Sequence, residues 1–198
     1  MWRAVPPRLP RFSLYARLAV MSVLSLTAWF FGAWLAVAAL SALRTAHPQI
    51  MPIVGWGGTA TLAVVGALAC LGNPPAPRGS KPVPPTALIL RGTLAAVAIG
   101  VAVVLAALGG ATAAGIASVF PAIFITTMVS LWIAQGESVP AGAVGPMMLG
   151  AASVGAYACV AAWSLPLVGP ALGATSAWLV AVLFTTVPAW LWLERRAR

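Results

Sequence analysis

Six apolar stretches, most of them separated by only a few residues, take up nearly the whole chain, and each is long enough to cross a bilayer. A helix needs about 20 predominantly apolar residues to pass a hydrocarbon layer roughly 30 Å thick. The stretches place spans at Leu18 to Leu43, Ile50 to Leu71, Ala87 to Leu108, Ala111 to Ala134, Ala141 to Trp163 and Ala171 to Leu193. Charged residues make up 7% of the chain, against about 25% in a soluble domain. The pattern predicts an all-α membrane protein with six transmembrane helices and no soluble domain between them.

The basic residues predict its orientation. Arg3, Arg8, Arg11 and Arg17 precede the first span, Arg78, Lys81 and Arg91 surround the junction of the second and third, and Arg195, Arg196 and Arg198 follow the sixth. Cytoplasmic flanks attract Lys and Arg. Six spans with both termini on the cytoplasmic side gather these ten and leave only Arg44 outside. The net charge of +9 therefore reads as membrane orientation, and with no basic stripe interleaved with aromatics it does not point to nucleic acid. Trp56 and Trp163 are expected at the outer interface and Trp132, Trp190 and Trp192 at the inner one. Trp29, Trp34 and Trp178 fall deeper, where packing against other helices is expected.

Residues 1–17 are basic and free of acids, which overlaps with a transit peptide; the alternative is a plain cytoplasmic flank. Asn73 to Thr86, NPPAPRGSKPVPPT, holds six prolines. Proline lacks an amide donor and restricts the residue before it, so 73–86 is expected to be an extended cytoplasmic connector. It divides a two-helix unit at 18–72 from a four-helix unit at 87–193, with a basic tail at 194–198. In the fifth span Gly145, Gly150 and Gly155 are expected to pack helices closely, so that leucine at Gly150 or Gly155 separates them. Cys70 and Cys159 fall near opposite ends of their helices in this topology, so no disulfide is expected.

From Leu88 onward some 110 residues resemble the small four-span inner-membrane proteins of the GlpM type, related to the DUF3147 group. The resemblance is carried by Leu88-Ile89-Leu90-Arg91, Ala114-Gly115-Ile116, Phe120-Pro121, Phe124 and Gly136-Glu137. It implies a bacterial inner-membrane four-helix unit and no particular catalytic residues. The first two spans have no counterpart in that family.

The chain has no Asp, two Glu and a single His. Zinc usually needs three or four Cys, His or carboxylate ligands, and a catalytic triad needs an acid near His47; neither can be assembled, so neither a metal, a cofactor nor enzymatic activity is expected. Glu137, in the loop after the fourth span, is a candidate for receiving a cation or proton, the alternative being a solvated carboxylate paired with an arginine. Arg91 is expected to anchor the third span at the headgroups; a salt bridge to Glu137 would be geometrically reasonable, since both belong at the inner face. Pro121 is expected near mid-depth of the fourth span, where it frees a backbone carbonyl. Beyond it Thr126, Thr127 and Ser130 form a hydroxyl stripe leading toward Glu137, unless those hydroxyls bond back to their own helix.

Three functions follow. The first is a small-solute or ion transporter or channel component using this stripe. The second is a non-catalytic assembly subunit of a membrane complex, and the third an enzyme on a lipid-linked substrate. The expected partners are the lipid bilayer and further copies of the chain or other membrane subunits, in the inner membrane of a bacterium or an organelle membrane of a eukaryote.

Overall fold

The computed structural model describes residues 2, 5–9, 11–72, 85–118 and 121–197. Among them every regular element is helical, and no strand occurs. The helices are α1 (Leu14–Ala46), α2 (Met51–Gly72), α3 (Pro85–Ser118), α4 (Ala122–Gln135), α5 (Ser138–Ala181) and α6 (Val187–Ala197). A π turn, Val182–Thr186, joins the last two, and short 3₁₀ turns occupy Pro6–Arg8 and Pro48–Ile50. Among the described residues four runs are long and apolar enough to cross a membrane: Leu14–Ala46, Pro48–Gly72, Gly92–Gly109 and Ser138–Arg196.

Local chemistry places the helix ends. Ser13 caps α1 by accepting the Ala16 amide at 3.2 Å, which satisfies one of the donors a helix start leaves open. The helix thus begins a turn before Leu18 and carries Arg17 in its first turn. Pro85 opens α3, where a missing N–H costs nothing; the connector at 73–84 lies outside the described residues.

The break between the third and fourth stretches falls later than expected. The chain stays helical through Gly109 and Gly110 to Ser118 and restarts at Ala122. Glycine in a helix costs about 1 kcal/mol relative to alanine, whereas Pro121 both lacks an amide and disfavours helix at the residue before it. Pro121 therefore stands at the N-cap of α4, with φ −82° and ψ 42°, and not within a span at mid-depth. Its carbonyl accepts the Ile125 amide at 2.9 Å. With 14 residues, α4 is about 21 Å long, short of the crossing expected for 111–134.

The chain divides into two compact units, Met1–Thr45 with Ala76–Gly142, and Ala46–Pro75 with Ala143–Arg198. The grouping takes α1 together with α3 and α4, and α2 together with most of α5 and with α6, so it does not follow the two-plus-four division at the connector.

In the first unit α3 packs against α4. Trp34 of α1 is 56% exposed, and Trp178 of the second unit 57%, so neither is packed as expected. In a helix that is apolar on every side, position along the axis does not say which side meets a neighbour.

In the second unit α2 lies antiparallel to α5. Gly145 meets Cys70, Leu149 meets Gly66, Gly155 meets Thr59 and Cys159 meets Gly55. A Cβ at Gly66 would come within 2.8 Å of the Leu149 backbone nitrogen, and one at Gly145 within 2.9 Å of the Cys70 nitrogen. The two backbones touch, which is how helices associate where hydrophobic burial offers no drive. Gly150 has nothing within 4 Å; the expectation that leucine there separates helices is corrected, because its side chain would enter open space.

The long run of α5 is interrupted at Gly169, with φ 81° and ψ 172°. Ser164 Oγ donates to the Gly173 carbonyl at 2.9 Å, and a Cβ on Gly173 would lie 2.8 Å from the Leu165 backbone. Along one straight helix those residues would stand about 12 Å apart. The chain therefore doubles back at Gly169, and Pro170 starts the returning limb. Farther along, Pro188 cannot donate to the carbonyl of Phe184, and the ladder widens just before it, with the Val187 amide reaching the Val182 carbonyl. This is the local adjustment a helix makes around proline.

Candidate functional site

Four buried polar atoms of the first unit with no hydrogen-bond partner among the described residues belong to Arg17, to Thr127 and Trp132 of α4, and to Glu137 in the turn that follows. Gly136 ends α4: its amide donates to the Trp132 carbonyl at 3.0 Å, and its φ of 86° with ψ 176° belongs to a region that essentially only glycine occupies. The turn sets Glu137 just ahead of α5, where helix amides favour a carboxylate. Glu137 Oε2 lies 2.9 Å from Arg17 Nη1. This is an ion pair without the alignment of a hydrogen bond, since Glu137 Oε2 and Arg17 Nε are both buried with no hydrogen-bond partner among the described residues.

The side chain of Arg91, a geometrically reasonable partner for Glu137, lies outside the described residues. The observed partner comes from α1. The sequence contains Arg17, but nothing in it shows that the first turn of α1 meets the loop after α4.

Trp132 is fully buried and does not serve as an interfacial anchor. Trp2 packs edge-on against it, with ring centroids 5.7 Å apart and an angle of 70°. The Trp2 Nε1–H donates to Ser25 Oγ on α1 at 2.9 Å. A bulky indole in an otherwise basic, proline-broken flank was the available signal for this contact. Burying it gains apolar contact and satisfies its one donor.

Of the hydroxyl stripe, Ser130 Oγ donates to the Thr127 carbonyl at 3.0 Å, the local use that such residues commonly find in helices. Thr126 is half-buried and already engaged. Thr127 Oγ1 and Trp132 Nε1 are different. Both are buried without a hydrogen-bond partner among the described residues. The site thus narrows to Thr127, Trp132, Glu137 and Arg17, a set that holds both donors and acceptors. Gly145 and Gly155 belong to the α2–α5 contact of the other unit and take no part in it.

Among the described residues no group of three or more His, Cys, Asp or Glu could hold a metal ion. No protein-family model, curated protein or solved structure matches the chain.

Proposed function

We propose that the protein is an integral membrane protein of six spans, with both termini on the cytoplasmic side, acting as a small-solute or ion transporter or channel component. The reversal at Gly169, which divides Ser138–Arg196 into two limbs, supports five of the six spans; the sixth rests on the apolar stretch at 111–134 and not on α4, whose 14 residues fall short of a crossing. The orientation rests on ten basic residues against one.

The observation that carries the transport reading is the pair of buried polar atoms along α4 that have no hydrogen-bond partner among the described residues. Leaving a buried donor or acceptor unpaired costs about 1–3 kcal/mol, and whole domains are stable by only about 5–15 kcal/mol. A helix keeps Thr127 and Trp132 in that state where a polar occupant engages them. An assembly subunit is the weaker reading, because the close glycine contacts at Gly66, Gly145 and Gly155 are already used within the second unit.

Reconstitution into vesicles with ion- and pH-sensitive dyes inside tests the proposal. Flux of a small ion or solute is expected, reduced at least tenfold by Thr127→Val or Glu137→Gln at unchanged protein content. Vesicles tight to every solute tried, with correctly folded protein in them, would sink it.

A further inference from the structure

We propose that the second unit binds an anionic phospholipid, with one acyl chain in the groove between α2 and the C-terminal limb and the headgroup phosphate on Arg195 and Arg196. The site belongs to the unit that the transport reading does not use, and stands independently of it.

The groove has a volume of about 540 Å³ and is bounded by Trp56, Ala63 and Ala67 of α2, Leu149 of α5, and Phe184 and Trp192 of the returning limb. From Trp56 to Ala67 it extends about 16 Å along the helix axis, a shape suited to an extended chain. Alanines on the α2 side keep it open.

Its two hydroxyls are spent within their own helices. Thr59 Oγ1 donates to the Gly55 carbonyl at 3.0 Å, and Thr185 Oγ1 donates to the Ala181 carbonyl. A hydrophilic solute would find almost nothing to bond there, whereas hydrocarbon loses nothing by entering.

One end of the groove is charged. The Arg196 guanidinium sits 5.1 Å above the ring of Trp192, which lines the groove. Arg195 adjoins it, and both are exposed. Both α2 and the returning limb run antiparallel to α5, so Ala67 and Trp192 mark the same end of the groove. Glu194 offsets one of the two charges, which leaves this helix end net positive. A guanidinium stacked on indole keeps its edge free for a phosphate, which it can grip through two parallel N–H bonds. A zwitterionic lipid offers the same chain without the net charge, so it is charge that should discriminate.

The full chain, purified in mild detergent, can be titrated with phosphatidylglycerol or phosphatidylcholine of identical acyl chains and read by native mass spectrometry. At least a tenfold preference for phosphatidylglycerol is expected. Arg195→Gln and Arg196→Gln should each cut its affinity roughly fivefold, in line with the contribution of a basic residue near an anionic surface, and leave the unfolding temperature unchanged. Ala63→Phe, which fills the groove, should weaken both lipids. Equal affinity of the wild type for the two lipids overturns the proposal, as does a preference that survives loss of both arginines. So does a dimer whose second copy covers the groove and is not displaced by lipid.

Discussion

At the scale of single residues, Glu137 stood out in the sequence as one of two acids in 198 residues, and the structure places it beside Arg17. Its side chain is 39% exposed, so the pair is worth about 1 kcal/mol at most. Arg17→Gln and Glu137→Gln should each lower unfolding stability in detergent by roughly that amount, and the double variant should lose no more than either single one. Full additivity in this cycle would show that the two charges do not interact. The partnership itself was not legible: Arg17 looked like one more residue of a basic flank, and only the capped start of α1 and the turn at Gly136 bring it to the carboxylate. The bond between Trp2 and Ser25 is illegible for the same reason, since a hydrogen bond across 23 positions leaves no trace in spacing. Thr126, Thr127 and Ser130 were visible as a group, yet which hydroxyl bonds back to its own helix depends on rotamers.

Between elements, the antiparallel contact of α2 with α5 separates two kinds of glycine. Gly66→Ala is expected to destabilise by about 1–3 kcal/mol, the usual effect of overpacking, because the new methyl meets backbone, which cannot rotate away. Gly150→Leu should change unfolding stability by less than about 0.5 kcal/mol, as ordinary surface substitutions do. Equal losses in thermal unfolding would contradict the packing described. The small-residue pattern pointed to the right helix but not to the right face, since the spacing of Gly145, Gly150 and Gly155 alone cannot show where the partner lies. The reversal of α5 at Gly169 makes a second prediction. Gly169→Ala forces a side chain into a backbone region that costs about 1–3 kcal/mol, so it should unfold at a lower temperature, whereas Gly72→Ala, with nothing within 4 Å of its Cβ position, should not. Proline misleads at one position: the sequence reads Pro121 as a kink inside a span, whereas it stands at the N-cap of α4.

For the molecule as a whole, the proposed topology sets both ends and residues 73–86 on one side of the membrane and the turn around His47 on the other. In a background with Cys70 and Cys159 replaced by alanine, a cysteine at Thr45 should react with an impermeant maleimide only from the side opposite to one at Ser80. Labelling of both from the same side would remove the six-span arrangement and the pathway built on it. The length of the apolar stretches, about 20 residues each, established an all-α chain with helices apolar enough for hydrocarbon, because a segment of that length meets its backbone hydrogen bonds within itself as a helix, whereas a spanning strand needs only about 10 residues. The sorting of lysine and arginine supplied the orientation to be tested. Which helices adjoin was settled only by tertiary structure, in the grouping of α1 with α3 and α4 and of α2 with α5 and α6. Apolar faces of equal character carry no address; close approach at particular glycines, and the turns at Gly136 and Gly169, decide which surfaces meet.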